Sequence, residues 1–242
     1  MTRVYVHEWG QGPEVVLVHG AVLGGRECWR GQRPLAERWR LRAVDRPGHG
    51  RTPPARQDFE AESVQLADQL LDRPVHLVGY SYGGLVAMYA AARRPENVLT
   101  LTVVEPPATA LAKGNPVVDE WAAAIRRLMA PADPDLPTLL RDFLALVGAQ
   151  VEVADPVHPT LLQGTRQLVG ARPPDEAHPP LDALRDLPML AITGAHLEPY
   201  EAICDVIASR AGAERAQCPG AGHLVPDTGA PFNALLEKFF TA

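Results

Sequence analysis

The segment Gly79-Tyr80-Ser81-Tyr82-Gly83-Gly84 constrains this chain more than any other. Val75-His76-Leu77-Val78 precedes it and reads as a short buried strand. Leu85-Val86-Ala87-Met88-Tyr89-Ala90-Ala91-Ala92 follows it and reads as a helix. A chain that passes from strand to helix across one serine must turn sharply there. The serine takes strained backbone angles, and side chains two residues to either side would collide, which explains glycine at 79 and 83. Such a turn pushes the serine Oγ out at the end of a sheet. The helix N-terminus beneath it favours negative charge on an oxyanion bound alongside. The short pattern G-x-S-x-G occurs by chance; the flanking strand and helix give it weight.

Other short apolar runs lie at 15–18, 41–44, 99–104 and 189–192, with a weaker one at 215–218. They end at His19-Gly20, Asp45, Glu105, Thr193-Gly194 and the Gly-rich 219–222 respectively. Residues 1–8 alternate like a further strand. Runs without polar interruption imply burial on both faces, as in a parallel sheet. Helical patterns at 30–39, 60–72, 82–93, 199–210 and 230–240 separate the strands, so the fold class is α/β with a mostly parallel sheet flanked by helices. Residues 106–187 break this rhythm. They are rich in proline, show no good strand, and contain helical stretches near 117–129, 137–149 and 158–170. A structureless loop of that length does not suit a compact domain. The expected organisation is therefore a core of residues 1–105 and 188–242 with a helical lid, 106–187, over the sheet's C-terminal edge. The alternative is that these are ordinary helices flanking the sheet. A separable lid predicts that deleting much of 115–180 changes substrate range more than it damages the sheet.

The chain of 242 residues is long enough for one well-buried core. A net charge of −6 and the lack of a Lys/Arg run argue against nucleic acid as a partner. No stretch of 18 apolar residues spans a membrane, and no signal-peptide pattern is present, so a cytoplasmic protein is expected. Cys28, Cys204 and Cys218 are distant and odd in number. They read as core thiols, not as a disulfide framework or metal site. No metal or organic cofactor is expected, and monomer or homodimer stays open.

The landmarks together resemble the α/β-hydrolase superfamily over nearly the whole length. They are Val18-His19-Gly20 after the fold's third strand, 45–52 (Asp45-Arg46-Pro47-Gly48-His49-Gly50-Arg51-Thr52) after the next, the elbow at Ser81, and Gly220-Ala221-Gly222-His223 before the last helix. The resemblance implies a nucleophile at Ser81, a general base at His223, and an oxyanion hole from the backbone N–H groups of Ala21 and Tyr82. His19 would shape the oxyanion loop and His49 the following turn. His7, His76, His158, His178 and His196 are read as structural or solvent-facing. The triad acid departs from the usual pattern. The slot that carries Asp in most of the family is Leu197, which cannot orient an imidazole. A minority of the family carries its acid at the end of the strand after the nucleophile helix, which is Glu105 here; Glu198, one residue past the usual slot, is the other candidate. Glu105 is the favoured acid. Tyr80, Tyr82 and Trp29 are candidate pocket residues.

The implied function is hydrolysis of an ester, lactone or similar small acyl substrate through an acyl-enzyme. Triad-bearing relatives that cleave C–C bonds, eliminate, or act as perhydrolases are the alternative within enzymes. A non-catalytic small-molecule-binding relative is the alternative outside them.

Overall fold

Both faces of most strands are covered, and this explains their unbroken apolar runs. The computed structural model describes residues 3–242; Met1 and Thr2 of the strand-like N-terminal run lie outside the described residues. The strands are β1 (Tyr5–Trp9), β2 (Glu14–Val18), β3 (Arg40–Asp45), β4 (Val75–Tyr80), β5 (Val98–Val104), β6 (Met189–Thr193) and β7 (Glu214–Gln217). They form one seven-stranded sheet in the order β1-β3-β2-β4-β5-β6-β7. Only β1 runs antiparallel, against β3; every other pairing is parallel. The His19-Gly20 loop follows β2, the second strand of this chain.

The α-helices are α1 (Gly25–Cys28), α2 (Phe59–Leu70), α3 (Tyr82–Arg93), α4 (Pro116–Met129), α5 (Leu136–Leu146), α6 (Pro159–Arg166), α7 (Glu198–Ala211) and α8 (Ala230–Phe240). Alternate strand residues serve two cores. Val16, Val18, Leu77, Leu101 and Val103 pack with α2, α3 and α7. Val15, Leu17, Val78, Val104 and Ile192 pack on the other face with Trp29, Trp39 and the α8 side chains Phe232 and Leu236. The helix expected at 30–39 is a 3-10 helix, Arg30–Glu37, with Pro34 inside it. Proline lacks the N–H that an α-helical bond would need there.

Within 106–187 the described residues form no strand. Some of the prolines that interrupt the sequence pattern are helix starts. Pro116, Pro137 and Pro159 stand in the first turns of α4, α5 and α6, and each helix is capped by a preceding side chain: Asn115, Asp135 and His158. Packing joins this segment to the sheet. Val118, Trp121 and Ile125 of α4, with Leu181 and Leu184, belong to the same buried cluster as β4 and β5. Backbone contacts join it too: Ala149 bridges Gly222, next to His223, and the Arg172 N–H donates to the Gln57 carbonyl at 2.8 Å. Among the described residues no helix is long and apolar enough to cross a membrane, and the three cysteines are free and buried.

Candidate active site

Ser81 stands between the last residue of β4 and the first of α3, at φ 52° and ψ −126°. Its N–H donates to the Val104 carbonyl at 2.8 Å, which fixes the turn against β5. The flanking glycines are required by space. A Cβ on Gly79 would lie 2.5 Å from the Gly83 carbonyl oxygen and 2.6 Å from Ala87 Cβ; one on Gly83 would lie 2.3 Å from the His19 oxygen. Real Cβ atoms do not approach backbone so closely, so α3 can pack under the turn only without them.

His223 follows the Gly-rich loop after β7. Its Nε2 is 3.0 Å from Ser81 Oγ, and its Nδ1 is 2.6 Å from Glu105 Oε2. An ionised carboxylate can only accept, so Glu105 fixes the tautomer: the proton sits on Nδ1, leaving Nε2 free to accept from the serine hydroxyl. The His223 ring stacks on Tyr200, with centroids 5.0 Å apart and planes 9° from parallel. The His223 backbone N–H donates to the Gly148 carbonyl at 3.1 Å.

Glu105 terminates β5 and is fully buried, at φ 45°. Its backbone N–H donates to Ile192 O at 3.0 Å, continuing the sheet by one residue. Its Oε1 accepts the Gly194 N–H at 2.6 Å and lies 3.3 Å from His196 Nδ1. Burial alone would raise this carboxyl, but His196, His223 and the Gly194 amide outweigh it and hold it below the ordinary 4.5. Glu198 is elsewhere: it opens α7 and is exposed. Leu197, in the usual acid slot, packs against the main core. The structure thus brings Ser81, His223 and Glu105 into one chain of contacts and leaves Glu198 out. His196 adjoins this chain, although its sequence context reads as structural.

The backbone N–H groups of Ala21 and Tyr82 have no protein acceptor among the described residues. A buried network holds the loop that carries Ala21. Arg46 Nη1 donates to Gly20 O at 2.7 Å, and the Arg46 backbone N–H donates to His19 Nε2 at 2.9 Å. His19 Nδ1 can then donate to Gly20 O, 2.8 Å away. Arg46 pairs with Glu62 at 2.7 Å, bonds Gln57, and stacks over the Tyr82 ring at 4.6 Å. One guanidinium therefore ties the Ala21 loop to the residue after Ser81.

Two cavities meet at Ser81. One, narrow and apolar, is walled by Tyr82, Pro107, Trp121, Ile125, Leu168 and Tyr200. A wider cleft is walled by Tyr80, His223, Leu224, Leu161 and Glu152. Ala21, Ser81, Phe143 and Val147 border both. Trp29, a candidate pocket residue by sequence, lines neither. It is fully buried behind Tyr80, its ring 6.4 Å away and edge-on, because an apolar ring that large is drawn into the core under β4. Among the described residues no group of His, Cys, Asp and Glu could hold a metal ion.

A mostly parallel sheet with a strand–serine–helix elbow, an imidazole and a strand-end carboxylate at its C-terminal edge defines the α/β-hydrolase class. The chain belongs to the alpha/beta hydrolase family, whose sequence pattern matches residues 15–235. It is 41% identical over 103 residues to a pimeloyl-acyl-carrier protein methyl ester esterase of Chromobacterium violaceum, covering 42% of this chain and 40% of that one. It is 37% identical over 131 residues to the Aeromonas hydrophila enzyme of the same name, covering 52% and 49%. The matches span about half or less of these curated relatives' length. Among solved structures, the Exiguobacterium antarcticum esterase EaEST superposes with a TM-score of 0.75 at 22% identity, covering 100% of this chain and 96% of that one. That likeness establishes the fold.

Proposed function

We propose that the protein is a serine hydrolase that cleaves an ester or lactone of an apolar acid. The observation that carries this reading is the run of contacts Ser81–His223–Glu105 at the junction of the two cavities. Ser81 Oγ attacks the carbonyl carbon while His223 Nε2 takes its proton, and Glu105 holds the imidazolium that forms. The carbonyl oxygen becomes an oxyanion that accepts from Ala21 and Tyr82 N–H; one such donor is worth about 2.7–4 kcal/mol in the transition state. His223 then gives its proton to the leaving oxygen, and water clears the acyl-enzyme by the reverse route. The methyl ester esterase names of the relatives support an ester as the bond class.

The proton path orients the substrate. His223 must reach the leaving oxygen, so the leaving alcohol occupies the cleft that His223 lines. The acyl group occupies the narrow apolar cavity, where burial favours it by about 25 cal/mol per Å². The helices α5 and α6, with their connecting segments, form a lid over both. A fluorophosphonate probe tests the reading: it labels the intact protein and does not label Ser81→Ala. p-Nitrophenyl esters of increasing acyl length give the companion measurement, with kcat/KM rising and then falling once the chain outgrows the narrow apolar cavity. A protein that takes no label, or whose labelling survives Ser81→Ala, is not a serine hydrolase.

A further inference from the structure

His196 touches the carboxylate of Glu105 on the side away from His223. Its Nε2 is 3.1 Å from the Val147 carbonyl oxygen. Its Nδ1 is 3.3 Å from Glu105 Oε1, within ion-pair range but bent away from a linear hydrogen bond. Both ring nitrogens thus face oxygens that can only accept. A neutral imidazole has one N–H. With the proton on Nε2, a lone pair faces a buried carboxylate; with it on Nδ1, a lone pair faces the Val147 carbonyl. An imidazolium satisfies both.

Two acceptors alone do not charge a histidine, and this molecule contains the control. His49 lies between the Ala21 carbonyl at 2.8 Å and the Pro47 carbonyl at 3.1 Å. Burial and then the Arg46 guanidinium oppose its second proton, and it is pushed down to about 4. His196 has the opposite neighbour. The groups facing it are Glu105 at the end of β5, His223 with ring centroids 6.4 Å apart, and Tyr200 of α7 at 5.7 Å. Glu201 of α7 acts from further off, itself paired with Arg215 at 2.6 Å. Burial lowers His196, but Glu105 and the Val147 carbonyl outweigh it, and the net shift is upward from 6.5. Space also fixes the ring: a Cβ on Gly148 would lie 2.5 Å from His196 Cδ2.

We propose that His196 is a positioning residue for the triad acid, charged in the working enzyme, which clamps Glu105 Oε1 and ties it to Val147, a wall of both cavities. Each carboxylate oxygen then has its own imidazole. Oε2 serves His223, while Oε1 is held by Gly194 N–H and His196, so the carboxylate cannot rotate away from His223. The inference rests on Glu105 being the triad acid.

Two measurements test it. In 15N-labelled protein at pH 7, the His196 ring nitrogens, assigned by their loss in His196→Gln, both show imidazolium shifts. In turnover, His196→Gln lowers kcat about 10-fold with KM within about twofold. It also abolishes an alkaline limb that the wild type shows above pH 6.5, where His196 loses its proton; His196→Lys restores part of kcat. A neutral His196 ring at pH 7, or superimposable pH–kcat profiles for wild type and His196→Gln, overturns the proposal. Failure of the acid assignment is distinguishable: Glu105→Gln would then leave kcat intact, while the nitrogen shifts of wild-type His196 would stay as they are.

Discussion

At the scale of single residues, the proposed site depends on a carboxylate at an unusual place. In the proposed mechanism Glu105 carries out at a strand end what most of the family asks of a loop residue, and its surroundings match that task. It is fully buried, it accepts from a backbone amide, and two imidazoles flank it. Glu105→Gln should therefore lower kcat by about 10³–10⁴-fold, since an amide neither fixes the imidazole tautomer nor stabilises its charge. Glu198→Gln should change kcat by less than about twofold, because that side chain is exposed. Steady-state kinetics on both variants, with folding checked by circular dichroism, gives the comparison; equal, mild effects would remove Glu105 from the triad. Ser81 and its glycines were legible from local sequence because the elbow is a local steric problem. The strand-end carboxylate was legible from the gap at Leu197. The place of His196 was not. It depends on how the turn after β6 lies against the end of α5, which brings residues 147 and 196 together, and no spacing rule records such a contact.

At the scale of elements, residues 106–187 supply part of the core as well as walls of both cavities. Their helices were readable, since prolines and capping side chains mark the starts of α4, α5 and α6. Their docking was not, because an amphipathic helix does not announce which surface it meets. The buried face of α4 presents Val118, Trp121 and Ile125 to the main cluster. Losing one buried aromatic side chain costs about 3–5 kcal/mol, and a domain has only about 5–15 kcal/mol in all. Deletion of 115–180 should thus abolish the cooperative thermal transition, contrary to what a separable lid predicts. Phe143→Ala, by contrast, removes a half-buried ring between the two cavities. It should leave a cooperative melt and extend the acyl lengths accepted. If the deletion melts cooperatively near the parent's Tm, the segment is a lid alone.

For the whole molecule, acid is the expected weakness. His19 and His49 sit edge to face, with centroids 4.6 Å apart, in the network that carries the Ala21 loop. Burial, with Arg46 nearby, lowers both, His49 to about 4. The unfolded chain takes up protons at these residues near pH 6.5 while the folded chain refuses them, so stability falls as pH drops below 6.5. His49 alone accounts for roughly 3 kcal/mol by pH 4. Glu105, held low, adds its own loss only below about 4.5, as pH falls through its lowered folded value. Urea unfolding from pH 7 to 4 should show the midpoint dropping first between 6.5 and 4, and His49→Gln should flatten that slope. An unchanged midpoint across this range would mean that both rings accept protons in the folded state. The separation of Ser81 from His223, 142 residues, also has a meaning in time. At about 5–20 residues per second, a ribosome takes roughly 7–30 s to travel from the serine to the histidine. The sheet's central strands can pair during that interval, yet the proposed nucleophile has no imidazole beside it, so on that reading the nascent chain carries its serine hydroxyl unarmed.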